Sequence, residues 1–281
     1  MRLLPGWRRL STALRASLLI HLASVIALVA GLVSWPWLLV VLVVNHGVLL
    51  LGMRPGSRIL GPDMRRLPAA AAARGEVALT FDDGPDPVVT PLVLDMLDAA
   101  GARASFFCIG KAARAHPALM REIVRRGHSV ENHTERHALL FAAYGVRAMR
   151  REIATAQKTL ATLAGRPPGF FRAPFGLRSP LLAPAIDGMG LTYLSWTRRA
   201  LDGGSGDAAK GYGRLARGLA AGDILLMHDG RCARDADGAP VILSILPRLL
   251  ALLAAQGLRS VSLPMATSGE APPPSAADAS N

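Results

Sequence analysis

The sequence predicts an α/β fold, a parallel sheet wrapped by helices and either closed into a barrel or left open, with a two-helix transmembrane hairpin in front of it. Three observations point there. From Glu76 onward, strand-like and helix-like segments alternate through about seven βα repeats, with connections long enough for parallel crossovers. Residues 17–53 contain no Asp, Glu, Lys or Arg, a run too long for the apolar region of a signal peptide, which covers roughly 7–15 residues. The 281 residues are 51% hydrophobic, enough to bury the core of one large domain or two small ones behind that run.

The chain opens on a basic N-terminus, residues 1–16, with Arg2, Arg8, Arg9 and Arg15. As a single helix the uncharged run would extend about 55 Å, well beyond a hydrocarbon core of roughly 30 Å. Ser34-Trp35-Pro36-Trp37 divides it near the middle, placing interface-seeking Trp on both sides of a helix-breaking Pro. Two short spans are therefore expected, at about 17–34 and 37–53. Arg15 precedes them and Arg54 and Arg58 follow, while the connecting turn is uncharged, so the positive-inside rule places both ends in the cytoplasm. His21, Asn45 and His46 lie within the spans, where polar groups can be functional; Asn45 and His46 equally suit contacts to headgroups or to the partner helix, the favoured reading.

A net charge of +12 would suit nucleic acid if it were spread over a domain. Residues 1–74, however, hold nine Arg against one Asp, a balance of +8 that leaves +4 for residues 75–281. The excess flanks the apolar run, where it favours anionic lipid headgroups, and no nucleic-acid partner is expected. Cys108 and Cys232 are too few for a disulfide framework and have no CxxC spacing. Cys108, within Ser105–Ile109, reads as a small buried hydrophobe.

Residues 54–75 read as a basic linker ending in an Ala run, followed by a domain over 76–265. Its first strand, around Val77-Ala78-Leu79, delivers Thr80-Phe81-Asp82-Asp83-Gly84-Pro85-Asp86-Pro87 into a turn set by Gly84 and Pro85. Thr90-Pro91 opens a helix with Thr90 as N-cap, running through Leu97 and stopped at Gly101. Ala104–Ile109 is a buried strand, Pro117 opens a helix that ends at Gly127, and His128–Glu131 is a short strand. A long amphipathic helix covers Val146–Leu163, closed by Gly165 and Pro167. Strands recur near Phe170–Arg172, Leu191–Trp196, Asp223–His228 and Arg259–Leu263. Helices fit Ser179–Met189, part of 207–221, and 241–255, where Pro247 implies a kink or a restart. The tail 266–281, rich in Pro, Ala and Ser, is predicted to be disordered.

In a βα barrel the active site lies at the carboxyl ends of the strands, so residues placed there are the candidates. Asp82 and Asp83 follow the first strand; alone they read as a solvated Asp-Gly turn. His133 and His137 follow the third, and their i, i+4 spacing suits two imidazoles on one metal if the turn is helical, although such a pair alone is often a surface coincidence. With a carboxylate from another strand end they make a His-His-Asp site with open positions for water and substrate. Arg172, between Phe171 and Phe175 after the fourth strand, is expected to be held against a carboxylate. Asp202, in a Gly-rich loop after the fifth, is by itself an ordinary loop aspartate. His228 ends the sixth; a lone His there is usually structural, but beside a metal site it is a candidate proton donor.

Five separated motifs, Thr80–Pro85, His133–His137, Arg172–Phe175, Asp202 and Leu226–His228, resemble in order those of the polysaccharide deacetylases, the NodB-homology group or carbohydrate esterase family 4. The resemblance covers residues 76 to about 263 and implies a distorted (β/α)7-type barrel. It implies Asp82 as general base, Asp83, His133 and His137 as ligands of one divalent metal ion, Zn2+ ahead of Co2+ or Ni2+, and His228 as general acid. Arg172 would orient Asp82, Asp202 would tune His228, and the Phe175 backbone N–H and Leu226 would meet the substrate and its oxyanion.

The implied reaction is metal-assisted hydrolysis of an N-acetyl or similar N-acyl group on an amino sugar in a polysaccharide, oligosaccharide or glycolipid, with Asp82 taking a proton from water and His228 giving one to the leaving amine. Gly203 departs from the family pattern, which places Trp directly after Asp202, and so removes an apolar wall of the sugar pocket. Phe175 replaces the usual Tyr, a mild change where only the backbone is expected to act. A bacterial inner-membrane protein with two spans is implied, its domain cytosolic by charge flanking and periplasmic in the alternative, with lipid-linked sugars among the candidate substrates. The alternative function, supported by Gly203, is a non-catalytic carbohydrate-binding membrane protein of the same fold. A phosphatase built on Asp82-Asp83 lacks the alternate-residue Asp spacing and leaves His133 and His137 unexplained.

Overall fold

The computed structural model describes residues 10–268; positions 1–9 of the basic N-terminus and 269–281 of the tail lie outside the described residues. Two antiparallel-paired helices come first, α1 (Thr12–Val29) and α2 (Trp35–Gly52), each long and apolar enough to cross a membrane. At 18 residues each they extend about 27 Å, close to the hydrocarbon thickness. Only 6% and 11% of these stretches are buried, which separates them from the core helices of the domain. Both start earlier than expected. Ser11 caps α1 by accepting from Leu14 N (3.2 Å), so Arg15 falls inside the helix, and Pro36 sits in the first turn of α2, where its missing N–H costs no helical bond. The polar groups of the hairpin face each other: Asn45 Nδ2 donates to Ser17 Oγ (2.9 Å), and the His21 and His46 rings meet edge-on at 5.2 Å. Of the two readings of these groups, the partner helix is what Asn45 contacts.

The domain is built on β1 (Glu76–Asp82), β2 (Ala104–Cys108), β3 (Ser129–Asn132), β4 (Phe170–Phe171), β5 (Thr192–Tyr193), β6 (Arg198–Arg199), β7 (Ile224–His228) and β8 (Arg259–Ser260). All pair in parallel, in the order β5-β4-β3-β2-β1-β7-β6, with β8 added to the start of β1. The two end strands, β5 and β6, are consecutive in sequence, joined by residues 194–197. The sheet therefore curls back on itself; of the strand expected at Leu191–Trp196 only β5 forms, paired with β4, and past a bend the additional strand β6 pairs with β7. This is the distorted α/β barrel, open between β5 and β6.

Strand parity then decides what faces where. Val77, Leu79 and Phe81 point outward to helices, whereas Ala78, Thr80 and Asp82 point inward. On β7 Leu225 and Met227 face outward and Ile224 and Leu226 inward, which puts His228 on the inner face as well. The register aligns Asp82 with both Phe107 and His228, so the carboxyl end of β1 lies level with that of β7.

Helices cover the outer face: α4 (Val89–Ala99), α5 (Gly110–Ala115), α6 (Pro117–Arg125), α7 (Val146–Ala164), α8 (Leu182–Ile186), α9 (Ala208–Ala216) and α10 (Ile242–Ala255). On α7 Met149, Ile153, Ala156, Leu160 and Ala164 form the buried stripe, and Gly165 stops the helix in the left-handed region at φ 73°. Thr90 is not the N-cap of α4; Asp86 Oδ1 accepts from Val88 N and Val89 N, and Thr90 lies buried inside the helix. The helix expected over Ser179–Met189 is shorter, α8 alone, and α5 was not expected at all. Pro247 neither breaks nor restarts α10, because it lies on the exposed face, where water reaches the carbonyl it leaves free.

Residues 54–75 pack against the domain. Leu60, Asp63, Leu67 and Ala71 are buried, Met64 bridges Leu194 next to the open seam, and 69–73 form α3 (Ala69–Ala73). The tail begins in order, since α11 (Leu263–Ser268) buries Ala266.

Candidate active site

The site forms at the carboxyl end of β1, where consecutive carboxylates part company. Asp82, the last strand residue, faces inward with Thr80, and both meet the Arg172 guanidinium: Arg172 Nη1 donates to Asp82 Oδ1 (2.6 Å) and to Thr80 Oγ1 (3.0 Å). Asp83 leaves the strand with φ 72°, a left-handed conformation that Asp tolerates better than most residues, and its carboxylate turns toward β3. The turn is tightly built. A Cβ at Gly84 would collide with the Asp229 carboxylate and one at Gly230 with the Asp83 carbonyl.

Arg172 is the largest fully buried side chain among the described residues. Its guanidinium lies 4.1 Å from the Phe107 ring centroid, and Nη2 donates to Ser195 O (3.3 Å). A buried charge of this kind is sustained by its partner, and truncating one side of such a pair costs about 3–5 kcal/mol. The same residue orders a second group through its backbone: His133 Nδ1 lies 2.8 Å from Arg172 O. A carbonyl only accepts, so Nδ1 carries a proton, which leaves Nε2 as the ring atom that can give a lone pair to a metal.

His133 Nε2 and His137 Nε2 approach Asp83 Oδ1 at 3.4 and 3.2 Å. The turn that brings the two histidines together is not helical; left-handed residues at Thr134 (φ 66°) and His137 (φ 53°) replace the expected helical spacing. Ligand atoms of Asp83, His133 and His137 lie within 4.8 Å of one another, and Asp83 Oδ1 is buried without a well-formed hydrogen bond. Two imidazole nitrogens and an orphaned buried carboxylate oxygen fit a divalent cation. Burial raises the Asp83 pKa, but His133 and His137 outweigh it and bring it to about 2; burial and the neighbouring His133 lower His137 to about 4. At neutral pH Asp83 is thus anionic and His137 neutral, the states in which each donates to a metal.

Across the mouth, His228 Nδ1 lies 2.8 Å from Asp202 Oδ1, while His228 N donates to Asp202 Oδ2 (2.8 Å). Burial works to lower the His228 pKa, and the hydrogen bond and charge of Asp202 outweigh it, raising it to about 9. The loop aspartate therefore holds an imidazolium. Its folded pKa lies above the ordinary 6.5, so the proton is present below about 9 and lost as pH rises through that value. Asp202→Asn is expected to bring the alkaline limb of the kcat/KM profile down by one unit or more toward the ordinary His range, read from a pH–rate profile.

These groups line one cavity of about 540 Å³ together with Phe175, Trp196, Arg199, Gly203, Leu226 and Arg231. Phe175, in a left-handed conformation (φ 58°), sets its ring 4.8 Å from that of His137 and is half exposed. All nine residues expected at the site are therefore brought to this mouth: eight line the cavity or, as Asp202 does through His228, hold a group that lines it, and Arg172 lies beneath them.

The family model for polysaccharide deacetylase matches residues 70–194. A chitooligosaccharide deacetylase of Sinorhizobium fredii is 32% identical over 207 residues, 72% of this chain and 96% of that protein. The chain belongs to the polysaccharide deacetylase family. A peptidoglycan-N-acetylglucosamine deacetylase of Bacillus cereus is 32% identical over 190 residues, covering 66% of this chain and 85% of its own length. Among solved structures, a family 4 carbohydrate esterase from Streptomyces lividans in complex with acetate superposes with a TM-score of 0.59 at 33% identity, over 66% of this chain and 91% of that one.

Two cavity residues of this polysaccharide deacetylase, and one buried beside the site, were not anticipated. Arg231 Nη1 lies 2.9 Å from His137 Nδ1, and Arg199 stacks 5.8 Å from the Trp196 ring centroid. Asp229, fully buried beneath the Gly84 turn, accepts from Thr90 Oγ1 (2.6 Å), and its burial raises its pKa to about 7. Arg231 had a local signal, following directly on the strand-end His228-Asp229-Gly230, and Arg199 lies three residues after the Trp196 it stacks on; the partner of Asp229, Thr90, lies 139 positions away and left none.

Proposed function

We propose that this chain is a membrane-anchored, metal-dependent N-deacetylase that hydrolyses the N-acetyl or a similar N-acyl group of an amino sugar in a polysaccharide, oligosaccharide or glycolipid. The observation that carries it is the convergence on one cavity of an Arg-held carboxylate, a three-ligand cluster fit for a cation and an imidazolium held by Asp202. Asp83, His133 and His137 would hold the metal, and Zn2+ suits this nitrogen-rich tetrahedral donor set, with Co2+ or Ni2+ as alternatives. When bound it supplies Lewis acidity, polarising the amide carbonyl and making water a competent nucleophile near neutral pH.

The chain's own groups do the rest. Asp82, kept in place by Arg172, takes a proton from the attacking water, whose oxygen forms a bond to the acyl carbon. The Phe175 backbone N–H helps hold the developing oxyanion, and Leu226 contacts the sugar from the inner face of β7. The C–N bond breaks as His228 gives its proton to the departing nitrogen, so that amide and water become carboxylate and amine. Trp196 offers an aromatic wall to the cavity.

Mass spectrometry of glycans and glycolipids from cells carrying either the parent gene or the Asp82→Asn gene tests this reading. One sugar class heavier by one acyl group in the variant is expected; identical profiles contradict it. The hairpin proposal is that both spans cross the inner membrane with the domain on the cytosolic side, supported by Arg15, Arg54 and Arg58 at the ends. A periplasm-dependent reporter fused after Asn281 is expected to be inactive, and activity there would place the domain in the periplasm.

A further inference from the structure

The spanning helix α2 ends against the wall of the catalytic cavity. One residue beyond it, Met53 O accepts from Arg178 N (3.0 Å), and Pro55 Cγ lies 2.9 Å from where a Cβ would sit on Gly176, a cavity-lining residue. Arg65 Nε donates to the carbonyl of Trp196 (3.1 Å), which lines the cavity as well. If α2 crosses a bilayer, the mouth of the pocket lies at the membrane surface.

The rim there is apolar and uncovered. Phe175 and Leu177, flanking Gly176, are 52% and 40% exposed, and Leu139 and Leu140, just after His137, are 77% and 67% exposed. The His137–Phe175 ring contact at 4.8 Å joins the two halves of this rim. Inside it, the cavity presents two arginines that the hydrolysis does not use. Neither Arg199 nor Arg231 pairs with a carboxylate among the described residues; one lies on Trp196 and the other on His137 Nδ1. Both guanidiniums lie in the lining of the cavity itself.

We propose that the pocket takes its amino sugar from a membrane lipid: an N-acylated sugar joined to its lipid chain through a phosphate, with the phosphate held by Arg199 and Arg231 and the chain laid on the Phe175–Leu177 rim. This rests on the deacetylase reading and names its substrate class. Arginine suits the role because its planar fork binds phosphate oxygens in pairs. The open Gly203-Gly204-Ser205 side, where a Cβ on Gly204 would meet nothing within 4 Å, leaves room for the phosphate-bearing end of the sugar.

The test uses the full chain, zinc-loaded, in neutral-lipid nanodiscs, with acetate release measured from three probes: polyprenyl-phosphate-linked N-acetylglucosamine, N-acetylglucosamine 1-phosphate and N-acetylated chitotetraose. The lipid-linked probe is expected to exceed chitotetraose in kcat/KM by about tenfold or more, the range of a charge-assisted hydrogen bond, and also to exceed the soluble phosphate. Arg199→Gln and Arg231→Gln are each expected to reduce the ratio of phosphate-bearing to neutral probe severalfold; measured on one preparation, that ratio separates lost recognition from lost fold. Equal rates on the two phosphates overturn the membrane source, and chitotetraose matching the lipid-linked probe overturns the substrate class while the deacetylase reading stands. A ratio that stays at the parent value in either variant overturns the arginine assignment. No acetate from any of the probes, and no formate from their N-formyl counterparts, overturns the deacetylase reading and this inference together.

Discussion

Asp82→Asn is expected to lower kcat/KM for N-acyl hydrolysis about 10³-fold, within the 10²–10⁴ range associated with a positioned general base. The amide is isosteric and can still accept from Arg172 Nη1 at the place where Asp82 Oδ1 accepts now, so the buried guanidinium keeps a partner and the fold should survive. What is lost is the ability to take a proton. The loss should therefore appear in kcat rather than KM, because the sugar-facing walls, Trp196 and Leu226, are untouched. Steady-state kinetics beside zinc stoichiometry check this: an Asn protein that binds one zinc and keeps more than about a tenth of the parent kcat would remove Asp82 from the role of base.

His133→Ala is expected to abolish both cation binding and activity. His133 is fixed at both ends, with Nδ1 on Arg172 O and Nε2 3.4 Å from Asp83 Oδ1, so no neighbouring side chain is placed to substitute for it. Loss of an outer partner of a ligand typically costs about 10–100-fold in metal affinity, and loss of the ligand itself should exceed that. Titration calorimetry of dialysed protein with Zn2+ reads the effect. An Ala variant that binds zinc as tightly as the parent would show that the cluster of Asp83, His133 and His137 is not where the cation is held.

Much of the site was legible because strand ends are legible. Val77–Leu79 running into Asp82-Asp83-Gly84-Pro85 announces a strand and its turn, and strand alternation already allows the two neighbouring carboxylates separate duties, although which face is inner is decided only by the packing of the sheet. Gly165 marked the end of α7 for a similarly local reason. Where the reading failed, some deciding contacts were local but unsignalled and others were remote. His133 and His137 at i and i+4 would share a face of a helix, yet the spacing is met by a left-handed turn held by its own side chains; Thr134 N donates to Asn132 Oδ1 and His137 N to Thr134 Oγ1. The α5 helix follows β2 with only Ile109 between, and its composition, small residues with no capping side chain, gives no start signal. The bend between β5 and β6 depends on pairing with β4 on one side and β7 on the other, and the packing of 54–75 depends on an open seam that a closed barrel would not offer. Arg231 reaches His137 across 94 positions of sequence, and no spacing rule spans that distance.

The most direct test of the central claim is acetate release by the purified full chain from N-acetylated amino-sugar substrates, measured before chelation, after chelation and after reloading with Zn2+. One acetate per free amine formed, abolished by chelation and restored by zinc, is the predicted result. A zinc-loaded protein that binds these sugars and releases neither acetate nor another carboxylate from them would contradict it and leave a sugar-binding role for the same cavity.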